Sequence, residues 1–168
     1  MKNFWDRAIR LTTLASLPTL LLTITIPHRS AIAVGFDACA NSLLNSGISQ
    51  EQAGTACADA LEPKELAACV DKIKGETALA AEDALKSCYR VRRPEDLASC
   101  VVAIDSTTEG SQNAALALDN CRRSLLPARY AECVVGLNDA IPDLGVAKTM
   151  ETCISAEAFP EDLFGTSE

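Results

Sequence analysis

Beyond its first 33 residues the chain has no histidine and no tryptophan. The one histidine, His28, and the one tryptophan, Trp5, both stand near the N-terminus. Without histidine, Ser-His-Asp and Cys-His mechanisms lose their general base, and His-ligated zinc or haem has no ligand. No Cys-x2-4-Cys pair is present to begin an all-cysteine zinc site. The longest apolar run, Leu11 to Ile26, is broken by Thr, Ser and Pro18. It falls short of the roughly 20 residues that cross a bilayer. Aromatic side chains are scarce: Phe36, Tyr89, Tyr130, Phe159 and Phe164 are all that follow residue 33. No stretch alternates polar and apolar residues as a half-buried strand does.

The N-terminal segment reads as a leader. Lys2, Arg7 and Arg10 precede the apolar run, and "RSAIAV" after it places small residues at Ala31 and Ala33. That is the A-x-A pattern of a signal peptidase site, with cleavage between Ala33 and Val34. The expected organisation is a signal peptide over 1–33, a disulfide-rich helical domain over 34–158 and a flexible tail over 159–168. Lys2, Arg7, Arg10, Arg29 and Asp6 leave with the leader, so the remainder carries 11 basic against 22 acidic side chains, net −11. Such a chain suits neither nucleic-acid binding nor membrane insertion after cleavage. The expected location is exported: periplasm, thylakoid lumen or exterior.

All eight cysteines lie after the leader, at 39, 57, 69, 88, 100, 121, 133 and 153. Even in number and exported, they read as four disulfides. Three segments, "CADALEPKELAAC", "CYRVRRPEDLASC" and "CRRSLLPARYAEC", share one plan of Cys, five residues, Pro, five residues, Cys. The period of 31 to 33 residues between equivalent cysteines is that of a helix pair. After each proline the apolar residues fall at i, i+3, i+4 and i+7. Leu66, Cys69, Val70 and Ile73 do so first, then Leu97, Cys100, Val101 and Ile104, then Tyr130, Cys133, Val134 and Leu137. This is one face of an α-helix, and proline suits its first position because it has no N–H to leave unpaired.

The upstream halves carry similar stripes. They run through Ala53, Ala56, Cys57, Ala60 and Leu61; Ala81, Ala84, Leu85, Cys88 and Val91; and Ala114, Ala117, Leu118, Cys121 and Leu125. Ser49 and Gln52 have capping-box spacing. The pattern predicts an all-α fold of about eight short helices, one cysteine on each buried face, arranged as disulfide-stapled hairpin repeats. "NSGIS", "KGE", "DSTTEGSQ" and "IPDLG" are the expected connections, and the segments around Cys39 and Cys153 are expected to be terminal half-repeats.

Two pairing schemes suit this pattern. Bridges across the proline turns would be 57–69, 88–100 and 121–133, which strands Cys39 and Cys153 unless the two ends of the chain meet. Bridges across the longer loops would be 39–57, 69–88, 100–121 and 133–153. Parity favours the loops, but Cys69 stands closer to "KGE" than Cys88 does, which weakens 69–88.

All six arginines after the leader fall at two places: Arg90, Arg92 and Arg93, then Arg122, Arg123 and Arg129. Both flank proline turns of neighbouring repeats, so they can stack into one cationic strip that contacts a protein partner or anionic ligand through bidentate guanidinium geometry. The competing reading is solvated helix ends favourable to the dipole. Glu82–Asp83, Glu95–Asp96 and Glu161–Asp162 are adjacent carboxylates, whereas catalytic pairs converge from separate elements.

Through "DALKSCYRVRRPEDLASCVV" and its copies, the chain resembles exported Ala- and Cys-rich helical proteins of cyanobacterial type. It is also similar in architecture to disulfide-bonded Sel1-like repeats, without their Gly/Tyr spacing. That likeness implies a protein-binding scaffold. The expectation is a non-enzymatic binding or structural module without cofactor or metal, the alternative being a carrier of a small apolar ligand between helices. Non-reducing mass mapping of the exported protein is expected to find a chain beginning at Val34 with all eight cysteines oxidised. An unprocessed terminus or free thiols would contradict the leader and disulfide readings.

Overall fold

The structure is a computed structural model that describes residues 35–89, 91–107 and 113–157. The predicted signal peptide, its cleavage site, Arg90, most of the "DSTTEGSQ" connection and the predicted tail lie outside the described residues. The fold is all-helical. In chain order the helices are α1 (Phe36–Asn45), α2 (Gln50–Asp59), α3 (Pro63–Glu76), α4 (Ala81–Cys88), α5 (Pro94–Asp105), α6 (Ala114–Arg123), α7 (Pro127–Ala140) and α8 (Val146–Glu157). A single 3-10 turn, Pro142–Leu144, sits between the last two.

Each of these eight helices of the described residues carries one cysteine, and the four bridges are Cys39–Cys57, Cys69–Cys88, Cys100–Cys121 and Cys133–Cys153. The loop scheme is therefore the one the fold adopts. The weakness foreseen for 69–88 disappears because "KGE" is not a loop: α3 runs through Lys74, Gly75 and Glu76, and the connection is residues 77–80. Cys69 then stands seven residues before the end of α3 (69 to 76) and Cys88 seven after the start of α4 (81 to 88). At about 1.5 Å per residue the two are level, and their Cα atoms lie 6.0 Å apart. The other bridges span 5.9 to 6.0 Å.

The helix pair is thus α1–α2, α3–α4, α5–α6 and α7–α8. The segments around Cys39 and Cys153 belong to whole pairs rather than half-repeats. Helices α1, α3, α5 and α7 pack side by side in one row, and each carries the helix that follows it. Neighbours α4, α6 and α8 also touch, whereas α2 and α4 stand apart. Helices on either side of a proline make far less contact than those joined by a loop.

Backbone geometry at the corners explains this. Glu62, Arg93 and Leu126, each just before its proline, have nearly the same conformation (φ −129°, −139°, −133°; ψ 86°, 76°, 71°). Steric conflict with the proline ring removes the helical region for that residue. Ala60, Tyr89 and Ser124 are extended as well, so each preceding helix has already stopped. Two breaks within a few residues redirect the chain sideways. The loops within pairs use other means: Gly47 and Gly145 take positive φ (95° and 77°), which favours a residue without Cβ.

The core is one continuous cluster running through all four pairs. The predicted stripes of α3 and α5 are buried throughout. On α7, Tyr130 and Val134 are buried while Cys133 and Leu137 are only partly covered, because α7 ends its row. Alanines 53, 84, 98 and 117 fill helix–helix contacts, where they permit close approach but bury little area. Leu61 and Leu125 depart from expectation. They are 85% and 84% exposed, because α2 ends at Asp59 and α6 at Arg123, and both leucines fall on the extended corner beyond.

Polar bonds tie elements together at the rim. Asp71 on α3 accepts from Ser42 and, at 2.6 Å, from Ser46. Lys72 on α3 donates to Ser99 on α5 at 3.0 Å, and the Tyr89 hydroxyl donates to Asp59. At the α2 N-terminus, Ser49 Oγ accepts from the Gln52 N–H at 3.3 Å, as foreseen. Gln52 Oε1, however, takes the Ser49 hydroxyl at 2.9 Å rather than its N–H.

Ile104→Ala, at a site with no exposure, is expected to lower unfolding free energy by about 2–5 kcal/mol. Leu61→Ala is expected to change it by less than about 0.5 kcal/mol. Urea titration of the two variants with disulfides intact checks both.

Candidate functional site

The second and third proline corners come together because α5 and α7 are neighbours and both begin with proline. Between these corners lies a cleft of about 340 Å³. Arg92 and Arg93 enter it from the α4–α5 connection. Arg122 and Arg123 enter from the end of α6, and the wall includes Leu97, Ser124, Leu125 and Pro127. Four of the six singled-out arginines therefore meet in one place. Arg129 is exposed on the first turn of α7 and does not line this cleft. Arg90 lies outside the described residues.

The cations here are weakly engaged. Arg93 approaches Asp96 at 3.7 Å, and Asp119 is shared by Arg122 (3.9 Å) and Arg123 (3.6 Å). All are pairs three or four residues apart whose side chains are 40% exposed or more, a class that contributes about 0–1 kcal/mol. Arg92 makes no ion pair among the described residues. A guanidinium has five N–H donors, so the cleft keeps most of its donor capacity for another acceptor.

The helix ends discriminate between the two readings of these arginines. Arg122 and Arg123 occupy the last turn of α6, where a cation is favoured by the carbonyl end of the dipole. Arg92 and Arg93 do not share that explanation. Helix α4 stops at Cys88, and Arg93 is the N-cap residue of α5. There the dipole presents its positive end, and cations are disfavoured. Two arginines at an unfavourable helix end, facing two more, concentrate positive potential on an otherwise acidic chain.

The third corner is held by α8. Glu157, the last residue of that helix, accepts from Ser124 Oγ at 2.5 Å and from the Leu125 N–H at 3.1 Å. Ser124 Oγ also accepts from the Leu126 N–H at 3.1 Å. Behind this corner the Tyr130 hydroxyl donates to the Met150 carbonyl at 3.2 Å. Burial, reinforced by the Glu157 carboxylate and opposed by Arg123, pushes the Tyr130 phenol up to about 12. The meeting of the two arginine corners is the stacking expected of neighbouring repeats, whereas the Glu157 latch was not legible in the sequence, because it joins residues more than 30 positions apart.

Two further clefts are more apolar. One, about 490 Å³, lies between α5 and α7 against Ala103, Ala131, Val135 and Gly136. The other, about 360 Å³, lies between α2 and α4, which stand apart there, against Thr55, Ala56, Leu85 and Tyr89. Both are grooves on the surface. The adjacent carboxylates remain at the exterior: Asp83 pairs with Lys86 at 3.3 Å and Asp96 with Arg93, while Glu161–Asp162 lies outside the described residues. Among the described residues no group of three or more His, Cys, Asp or Glu is placed to hold a metal ion, and no helix is long and apolar enough to cross a membrane. No family model, curated protein or solved structure matches the chain. Four disulfides fit an oxidising, extracytoplasmic environment.

Because the fold raises the Tyr130 pKa, it favours the neutral phenol. The associated stability is complete below the unfolded value of 10 and is lost as pH rises from there toward about 12. The expected loss is about 1.4 kcal/mol per pH unit across that window. Tyr130→Phe is expected to flatten it, as measured by denaturant unfolding at stepped alkaline pH.

Proposed function

We propose that the protein is an exported, non-enzymatic binding module, and that the cleft between its second and third proline corners docks an anionic group of a protein partner or ligand. The observation that carries this reading is the placement of Arg92 and Arg93 on the positive end of α5, opposite Arg122 and Arg123. Helix energetics disfavour cations there, so an external anion gives the arrangement a reason. Arginine suits the role because its planar fork meets carboxylate or phosphate oxygens in pairs. The non-enzymatic part rests on the sequence, which has no histidine after the leader and whose carboxylate pairs are neighbours in the chain, whereas catalytic pairs converge from separate elements. The four bridges supply a rigid frame in a periplasmic, lumenal or extracellular setting.

A fluorescent hexaglutamate peptide is a direct probe. Arg92→Glu combined with Arg122→Glu is expected to weaken its binding by roughly 10- to 100-fold, the scale of one or two charge-assisted contacts. Arg129→Glu, outside the cleft, is expected to leave it within about twofold. Wild-type affinity should fall as salt rises, since the sites are exposed. Equal losses in the two variants would remove the cleft as the docking site.

A further inference from the structure

We propose that in the free protein this cleft is occupied by the chain's own C-terminal segment, residues 158–168, and that an acidic partner binds by displacing it; the inference rests on the anion-binding reading of the cleft. The last helix delivers the chain to this place. Glu157, immediately before the segment, is bonded to Ser124 and Leu125, and both of those residues are part of the cleft wall. Glu157 and Arg123 act in opposite directions on the Tyr130 phenol, and both are near enough to influence that one group.

The segment, "AFPEDLFGTSE", has the composition that the cleft lacks. It contributes Glu161, Asp162 and Glu168 and contains no cation. Its two adjacent carboxylates complement four guanidiniums whose ion pairs among the described residues are with Asp96 and Asp119 alone. Phe159, Leu163 and Phe164 flank the acidic pair along the chain. Beside the arginines, Leu125 and Leu126 stand 84% and 44% exposed, an apolar rim for those rings and side chains. Exposed apolar residues next to concentrated charge suit an acidic–aromatic peptide better than a small inorganic anion.

Reach is sufficient. Four residues separate Glu157 from Glu161, a span of at most about 14 Å when extended, and the starting point is already at the wall. A short tether also makes the contact intramolecular, with an effective concentration in the millimolar range.

The test uses the full disulfide-bonded chain and a labelled peptide identical to residues 158–168. Glu161→Lys with Asp162→Lys, beyond the last helix and last bridge, is expected to bind the added peptide about 10-fold more tightly than wild type does, because its own segment no longer competes. Adding Arg92→Gln and Arg122→Gln to that variant is expected to abolish the gain. Equal affinity of wild type and the Lys variant would overturn the proposal. So would self-association that the Lys variant relieves, since the segment would then sit in a second copy. Failure of the peptide to bind the Lys variant, while hexaglutamate binding stays arginine-dependent, would overturn the tail as occupant and leave the anion-binding reading intact. Loss of arginine dependence for hexaglutamate as well would remove that reading too.

Discussion

One disulfide holds each helix of the row to its companion, about two turns from the connecting loop in the α3–α4 and α7–α8 pairs, and the rest of the molecule depends on those bridges. The helices are only 8 to 14 residues long, lengths at which an isolated helix is marginal in water. Alanine supplies much of the contact surface, and it buries too little area to compensate alone. Closing loops of 18 to 21 residues contributes about 3 kcal/mol per bridge in the chain-entropy model. With each pair fixed at matched height, the apolar stripes of α3, α5 and α7 face one another in register, and a thin core becomes continuous.

The proline corners do the complementary work of separating the pairs. A residue forced out of the helical region before proline, and an extended residue a few positions earlier, turn the chain from the outer helix of one pair to the inner helix of the next. Because the same geometry recurs three times, equivalent corner residues project at one end of the row. There the repeats diverge in chemistry. Two positions before proline stand Leu61, Arg92 and Leu125, and one position before stand Glu62, Arg93 and Leu126. Identical backbone thus presents mixed, cationic and apolar corners, and the cleft lies where the second meets the third.

Much of this was legible in the residues. The i, i+3, i+4, i+7 stripes marked α3, α5 and α7, the prolines marked their first turns, and Ser49 marked the start of α2. The errors share a cause. The glycine of "KGE" suggests a break at Gly75, yet an exposed glycine inside a helix costs only about 1 kcal/mol, and tertiary packing of Leu66, Val70 and Ile73 outweighs that. Extending helical periodicity past the true ends of α2 and α6 places Leu61 and Leu125 on buried stripes, whereas both are exposed. Periodicity alone carries no signal for where a helix stops when the breaking residue is an ordinary Ala or Ser. Where Arg92 and Arg93 stand relative to the helix dipoles likewise depends on one boundary, the end of α4 at Cys88.

By itself the sequence determined the class of fold, the eight-cysteine repeat and the identity of the charged corners, because these follow from local periodicity, backbone sterics and residue chemistry. Tertiary structure decided which cysteines bond, since level placement depends on how far α3 extends. It also decided which arginines share a cleft, because that depends on α5 and α7 lying side by side. The position of Glu157 against the third corner belongs to the same category. It joins residues more than 30 positions apart, and only the packed stack of helix pairs brings them into contact.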